Sequence, residues 1–170
     1  FKIVLENGNT VLLDILAPDL FRLRLDSDGK FKAGGLERYS LLNLNWEKCK
    51  VEEQVSDVQY CFITEKAELR INRSDGNFQL FLKDGTELIS TAAAPQGSQE
   101  KGFDLQLSLQ ADEKLYGLGD ESRESLNKRG HANLMSVTNV VSYTPIPFFS
   151  SNKGWGLYLN STWMHHFDGG

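Results

Sequence analysis

The chain has 170 residues, of which 40% are hydrophobic and 24% charged; this suits one folded domain with a buried core and excludes a disordered, collagenous or low-complexity chain. A net charge of -5 lacks the Lys/Arg excess that nucleic acid or an anionic membrane surface requires, so neither is an expected partner, while a neutral sugar remains open. No apolar run approaches the length of a membrane span, and the start at Phe1 and stop at Gly169-Gly170 lead us to expect a domain excised from a longer polypeptide.

Taken in order, the first half reads as short strands separated by turns. Asn7-Gly8 lies between the runs 2–5 and 10–16 and predicts a hairpin, because both residues tolerate the positive φ of a tight turn. Phe21, Leu23 and Leu25 alternate with Arg22 and Arg24, which predicts a half-buried strand with apolar side chains on one face and guanidinium groups on the other. Asp28-Gly29 marks the next turn, and 41–46, a mixture of Leu and Asn, reads as a loop or short edge strand. Residues 58–64 are β-branched and aromatic and read as a strand. Ala67, Leu69 and Ile71 alternate with Glu68 and Arg70; Asp75-Gly76 and Asp84-Gly85 then turn the chain through Phe78, Leu80 and Leu82 and on to 87–90, a three-stranded meander. The small, polar, Pro-containing run 91–102 reads as a surface loop. Residues 103–110 alternate most cleanly, four apolar against four polar, and predict one continuous strand. No helical window is found, although 121–128 has room for a turn or two. This spacing favours an all-β antiparallel sandwich with little helix over a parallel α/β sheet.

The residues of chemically active type each have a plainer reading. Cys49 and Cys61 read as two buried free thiols, with a disulfide across neighbouring strands as the alternative. Asp112, Glu113, Asp120, Glu121 and Glu124 cluster, but adjacent acids read as a solvated turn and a strand-end cap, not as the facing pair that glycoside hydrolysis needs. His165-His166-Phe167-Asp168 alternates, putting one histidine on each face, and His131 lies in another segment, so no metal site is expected. No Gly-x-Ser-x-Gly elbow appears, and acids follow Gly117 and Gly119 where a phosphate loop would need none. Phe148, Phe149, Trp155, Tyr158 and Trp163 read as core before they read as stacking platforms for a sugar. Pro145 and Pro147 restrict Thr144 and Ile146 to extended geometry at the end of the preceding loop.

The stretch from Tyr116 to Asn160 organises the chain. It carries Tyr116-Gly117-Leu118-Gly119-Asp120-Glu121, Asn127-Lys128-Arg129-Gly130, Ile146-Pro147-Phe148-Phe149 and Gly154-Trp155-Gly156 in that order, two Gly-punctuated strands flanking a long polar loop. This order resembles the N-terminal β-sandwich of glycoside hydrolase family 31, the α-glucosidase and α-xylosidase family, and the run from Ala17 to Arg24 agrees more weakly. The resemblance implies a single galactose mutarotase-like sandwich over 1–170, packed against the (β/α)8 catalytic barrel of the same polypeptide. Such a barrel needs about 250 residues of its own. The whole enzyme would hydrolyse an α-linked oligosaccharide or glycoside with two aspartates of that barrel. For this chain the resemblance implies no catalytic residue, no metal and no cofactor.

Members of the family typically carry a Trp-Asn-x-Asp run in the loop corresponding to 131–144, whose aspartate reaches the sugar. Met135-Ser136-Val137-Thr138, followed by Asn139, stands there instead. Thr138, Asn139 and Arg129 are therefore the substrate-binding candidates. Loss of a charge-assisted hydrogen bond turns the expectation from α-glucosides toward other α-sugars, such as α-galactosides or N-acetylated sugars. Two further readings stay open. A free-standing carbohydrate-binding module would need an exposed aromatic platform, and a mutarotase-like epimerase would need an acid and a histidine, such as His131, converging in a groove.

Overall fold

A computed structural model describes residues 1–43, 45–98, 102–120, 125–136 and 144–170. Its regular structure is nearly all strand, in antiparallel sheets, so the chain is an all-β sandwich as the turn spacing predicts. Among the described residues no helix is long and apolar enough to cross a membrane. The residues gather in two compact units, Phe1–Lys32 with Asn43–Leu109, and Ala33–Leu42 with Gln110–Gly170.

In the first unit the Asn7-Gly8 turn forms. Gly8 takes φ 88, Leu5 N donates to Asn9 O at 2.8 Å, and β1 (Lys2–Val4) folds back on β2 (Thr10–Ala17). β3 (Leu20–Asp26) completes a three-stranded sheet. Opposite it stands a six-stranded sheet. Its core is β5 (Gln59–Ile63), β6 (Ala67–Asn72), β7 (Phe78–Leu82) and β8 (Glu87–Thr91), which include the predicted meander, with β4 (Glu52–Val55) on one edge.

β6 holds its period of two: Ala67, Leu69 and Ile71 are buried while Glu68, Arg70 and Asn72 are not. Ile3, Leu5, Val11 and Leu13 of the smaller sheet and Phe62, Leu69, Ile71 and Ile89 of the larger form the core. The faces meet where the Phe1 and Phe62 rings lie 4.7 Å apart and where Thr64 Oγ1 donates to Pro18 O at 2.5 Å. A Cβ on Gly76 would come within 2.8 Å of Leu5 Cδ1.

Several expectations give way here. In β3 the two faces are covered alike: Phe21, Leu23 and Leu25 are half-buried, and so are Arg22 and Arg24. Arg24 donates to Asp14 on the neighbouring strand at 3.0 Å, and its guanidinium carbon lies 5.8 Å from the centre of the Phe31 ring. The run 91–102 contains a strand, β9 (Gln96–Ser98), which pairs with β10 (Gly102–Asp104). Gly97 lets β9 approach β3, since a Cβ there would lie 3.3 Å from Leu25 O. The continuous strand expected over 103–110 is two: β10 pairs with β9, whereas β11 (Leu107–Ser108) pairs with β8 at the other edge of the six-stranded sheet. Alternation does not encode which partner supplies the ladder, and a strand that changes partner loses its common buried face. Phe103 is accordingly 47% exposed.

Cys49 and Cys61 are both free. Cys61 Sγ lies 3.2 Å from Glu68 Oε1, and burial, followed by that carboxylate, pushes the thiol up to about 11.

The second unit begins with one helical turn, α1 (Gly35–Arg38), which is too short for periodicity to reveal. Two small sheets follow. β12 (Leu115–Gly119), β14 (Pro145–Ser151) and β15 (Gly156–Tyr158) form one, and β13 (Ala132–Met135) with β16 (His165–Asp168) the other. Phe149 is the centre of the core, its ring 5.8 Å from Trp155 and 5.1 Å from Phe167, edge-on to both.

Candidate functional site

The chain between β12 and β14 is anchored at both ends by the way these two strands meet. Leu115, Tyr116 and Gly117 face Ser151, Ser150 and Phe149 in regular register, but Gly119 faces Pro145, so the ladder slips between Gly117 and Gly119. Three consecutive residues take positive φ: Gly117 at 129, Leu118 at 70 and Gly119 at 75. Side chains at the two glycines would collide with backbone, 2.5 Å from Phe148 O and 2.0 Å from Thr144 O. Leu118 is held in a conformation costing about 1–2 kcal/mol and offsets this by burial, with 2% exposure. Pro147 falls at the irregularity, where a missing N–H costs nothing, and its carbonyl accepts from Leu159 N at 2.8 Å. Asp120 N donates to Thr144 O at 3.0 Å, which pins residue 120 to residue 144.

The Asn127-Lys128-Arg129-Gly130 block ties the chain to β12 a second time. Asn127 Oδ1 accepts from Leu115 N at 3.1 Å and from Arg129 N at 3.2 Å, and Lys128 N donates to Leu115 O at 2.7 Å. Lys128 is buried, with Nζ donating to Ser125 O at 3.2 Å. Arg129 is half-buried and its Nη1 donates to Gln110 O at 3.0 Å. Gly130, at φ 76, donates to Gly169 O at 3.2 Å, and Gly169 N donates to His131 O at 2.9 Å. β13 then pairs with β16, Met135 opposite His165.

One carboxylate beneath this arrangement escapes the sequence reading. Glu113, read there as part of a solvated turn, is 3% exposed. Its Oε1 accepts from Ser151 Oγ and from Trp155 Nε1, the latter at 2.8 Å, and its Oε2 accepts from Gln110 N at 2.9 Å. The neighbouring Asp112 behaves as expected of a turn acid: it is exposed, and a hydrogen bond from Lys153 at 2.8 Å holds its carboxyl below its ordinary value.

Of the substrate-binding candidates, Arg129 occupies the anchoring block, and Thr138 and Asn139 lie outside the described residues, as do Glu121 and Glu124. The two histidines of β16 sit on opposite faces, His165 half-buried and His166 exposed. The aromatics divide: Phe149 and Trp155 are core, while Phe148, Tyr158 and Trp163 are exposed. Phe148 and Tyr158 are cross-strand partners, and Tyr116 and Ile146, also exposed, belong to the same small sheet.

This is the architecture of a β-sandwich whose glycines and buried polar groups tie the chain to β12 at residues 119–120, 127–130 and 144. Residues 10–168 match the glycosyl hydrolase 31 N-terminal galactose mutarotase-like domain, and the chain belongs to that family. Alpha-xylosidase A of Aspergillus niger is 33% identical over 66 residues, which are 39% of this chain and 9% of that protein. A family 31 dextranase of Flavobacterium johnsoniae, solved in complex with glucose, matches with a TM-score of 0.76 and 26% identity, over 95% of this chain and 21% of the dextranase chain. An α-xylosidase from a soil metagenome, complexed with xylose, shares the fold with a TM-score of 0.78 at 16% identity, over 96% of this chain and 27% of its own. The chain thus spans about a quarter or less of these relatives.

Proposed function

We propose that this chain is the non-catalytic N-terminal sandwich of a larger α-glycosidase that removes terminal α-linked sugars. In this reading the catalytic aspartates reside on a (β/α)8 barrel elsewhere in the same polypeptide. The first part of the expected loop 131–144 is the strand β13, paired with β16, so the sandwich lends the residues that follow β13, up to 144, to the rim of the sugar pocket. The family match over residues 10–168 carries the proposal. Two features of the second unit support it. The loop is anchored at residues 120 and 144 by a hydrogen bond that only glycine at position 119 allows. Exposed Tyr116, Ile146, Phe148 and Tyr158 give the sheet β12-β14-β15 an apolar surface suited to being covered by another domain.

Thr138 and Asn139 are the residues assigned to meet the sugar hydroxyls, with Arg129 bracing the loop at its base. The test uses the full-length enzyme of which this chain is a part, assayed with p-nitrophenyl α-glycosides. Thr138→Ala and Asn139→Ala should raise KM for the preferred sugar several-fold, since each removes about 1 kcal/mol of hydrogen bonding, with no change in thermal stability. Unaltered kinetics in both variants would remove the loop from the pocket.

A further inference from the structure

A second feature lies in the first unit, on the outer face of the six-stranded sheet, and stands whether or not the sandwich docks on a barrel. A cavity of about 190 Å³ opens there, lined by Gln59, Arg70, Asn72, Asn77, Gln79, Ser90 and Thr91. Four of the seven are primary amides and none is apolar. The sheet register assembles them: Gln59 faces Asn72, Arg70 faces Gln79, and Gln79 faces Ser90, so donors and acceptors stand on adjacent strands about 5 Å apart.

Asn77 and Thr91 are engaged with each other and with Asp75 and Phe78, and the other lining residues leave a particular set of groups over. Asn72 Oδ1 is taken by Ser74 N and Oγ at 2.8 and 2.7 Å, which leaves its amide nitrogen as a donor. Gln79 Nε2 donates to Glu87 Oε2 at 3.1 Å, which leaves its oxygen as an acceptor. Ser90 Oγ donates to Glu87 Oε1 at 2.7 Å and keeps its lone pairs. The Gln59 amide makes no side-chain hydrogen bond among the described residues and offers both functions. Arg70 is fixed between Glu68 Oε1, 2.6 Å from Nε, and the Phe81 ring, 4.3 Å from the guanidinium carbon, and its guanidinium can only donate.

Charge selects among ligands. The single cation, Arg70, is neutralised by Glu68, and Glu87 stands behind Gln79 and Ser90, so an anion gains nothing here. A free cation would meet the guanidinium. Interleaved neutral donors and acceptors match a ligand whose groups each donate and accept, which is a hydroxyl. The volume is below the roughly 300–1,000 Å³ of sites for drug-sized ligands, which restricts the occupant to about one ring.

We infer that this amide-lined cavity is a binding site for a single neutral sugar ring, separate from the loop 131–144. The experiment follows the side-chain NH₂ resonances of Gln59, Asn72 and Gln79 in 15N-edited NMR spectra of the 170-residue chain, titrated with D-glucose, D-xylose and inorganic phosphate. The expected result is a saturable shift of these resonances with at least one sugar, with a Kd of roughly 1–10 mM, and none with phosphate. Asn72→Ala and Gln79→Ala should each weaken binding about fivefold, the worth of one neutral hydrogen bond, while the backbone spectra away from the substituted strand stay those of the parent. No saturable shift with either sugar, a preference for phosphate, or sugar binding undiminished in both variants would overturn the assignment.

Discussion

Glu113 offers the sharpest test of how the second unit is held together. Its carboxylate accepts three hydrogen bonds in a setting where Glu113, Ser151 and Trp155 are 3%, 8% and 6% exposed. Glu113→Ala leaves three donors without an acceptor. An unsatisfied buried polar group costs about 1–3 kcal/mol, and water entering the vacated space recovers part of this, so the expected loss is about 4 kcal/mol. Glu113→Gln keeps the shape and one oxygen, but opposes an NH₂ to a donor, and should cost roughly 1–2 kcal/mol. Urea unfolding followed by tryptophan fluorescence reads both changes, because Trp155 is itself one of the donors. If Glu113→Ala lies within about 0.5 kcal/mol of the parent, the range of ordinary surface substitutions, the carboxylate is not the clamp described here.

Two further outcomes follow from the backbone and from titration. Gly119→Ala should cost at least about 3 kcal/mol, since it adds a steric clash to the left-handed penalty, whereas Gly85→Ala, at φ 86 with open space around it, should cost only about 1 kcal/mol; equal melting-temperature shifts would refute the close approach of β12 to Thr144. The Cys61 thiol, raised to about 11, contributes stability that is complete below the thiol's unfolded value near 9 and is lost as pH rises through about 11. Alkylation at pH 9 should therefore modify Cys49 before Cys61, and comparable rates would contradict the burial of Cys61.

Much of the fold was legible because its causes are local. Asn7-Gly8, Asp75-Gly76 and Asp84-Gly85 specify turns by the φ they permit, and Ala67, Leu69 and Ile71 specify a buried face by spacing alone. Partner choice is not local, which is why 103–110 reads as one strand but divides between β9 and β8. Glu113 was illegible for the same reason: it looks like one acid of a surface turn, and the donors that bury it lie 38 and 42 residues away. Gln59, Asn72 and Gln79 lie on three different strands, and only the register makes them neighbours. The family, by contrast, was readable from the order of blocks between Tyr116 and Trp155. Gly117, Gly119, Asn127 and Gly130 in those blocks turn out to perform the anchoring, so their order reports a backbone geometry as much as an ancestry.

In the proposed reading these residues form a scaffold without chemistry of their own. It is tested most directly by incubating the purified 170-residue chain with p-nitrophenyl α-D-glucopyranoside, α-D-xylopyranoside and α-D-galactopyranoside and following nitrophenol release. Release should be indistinguishable from buffer for all three. Saturable release that rises in proportion to the protein and persists through repurification would contradict it.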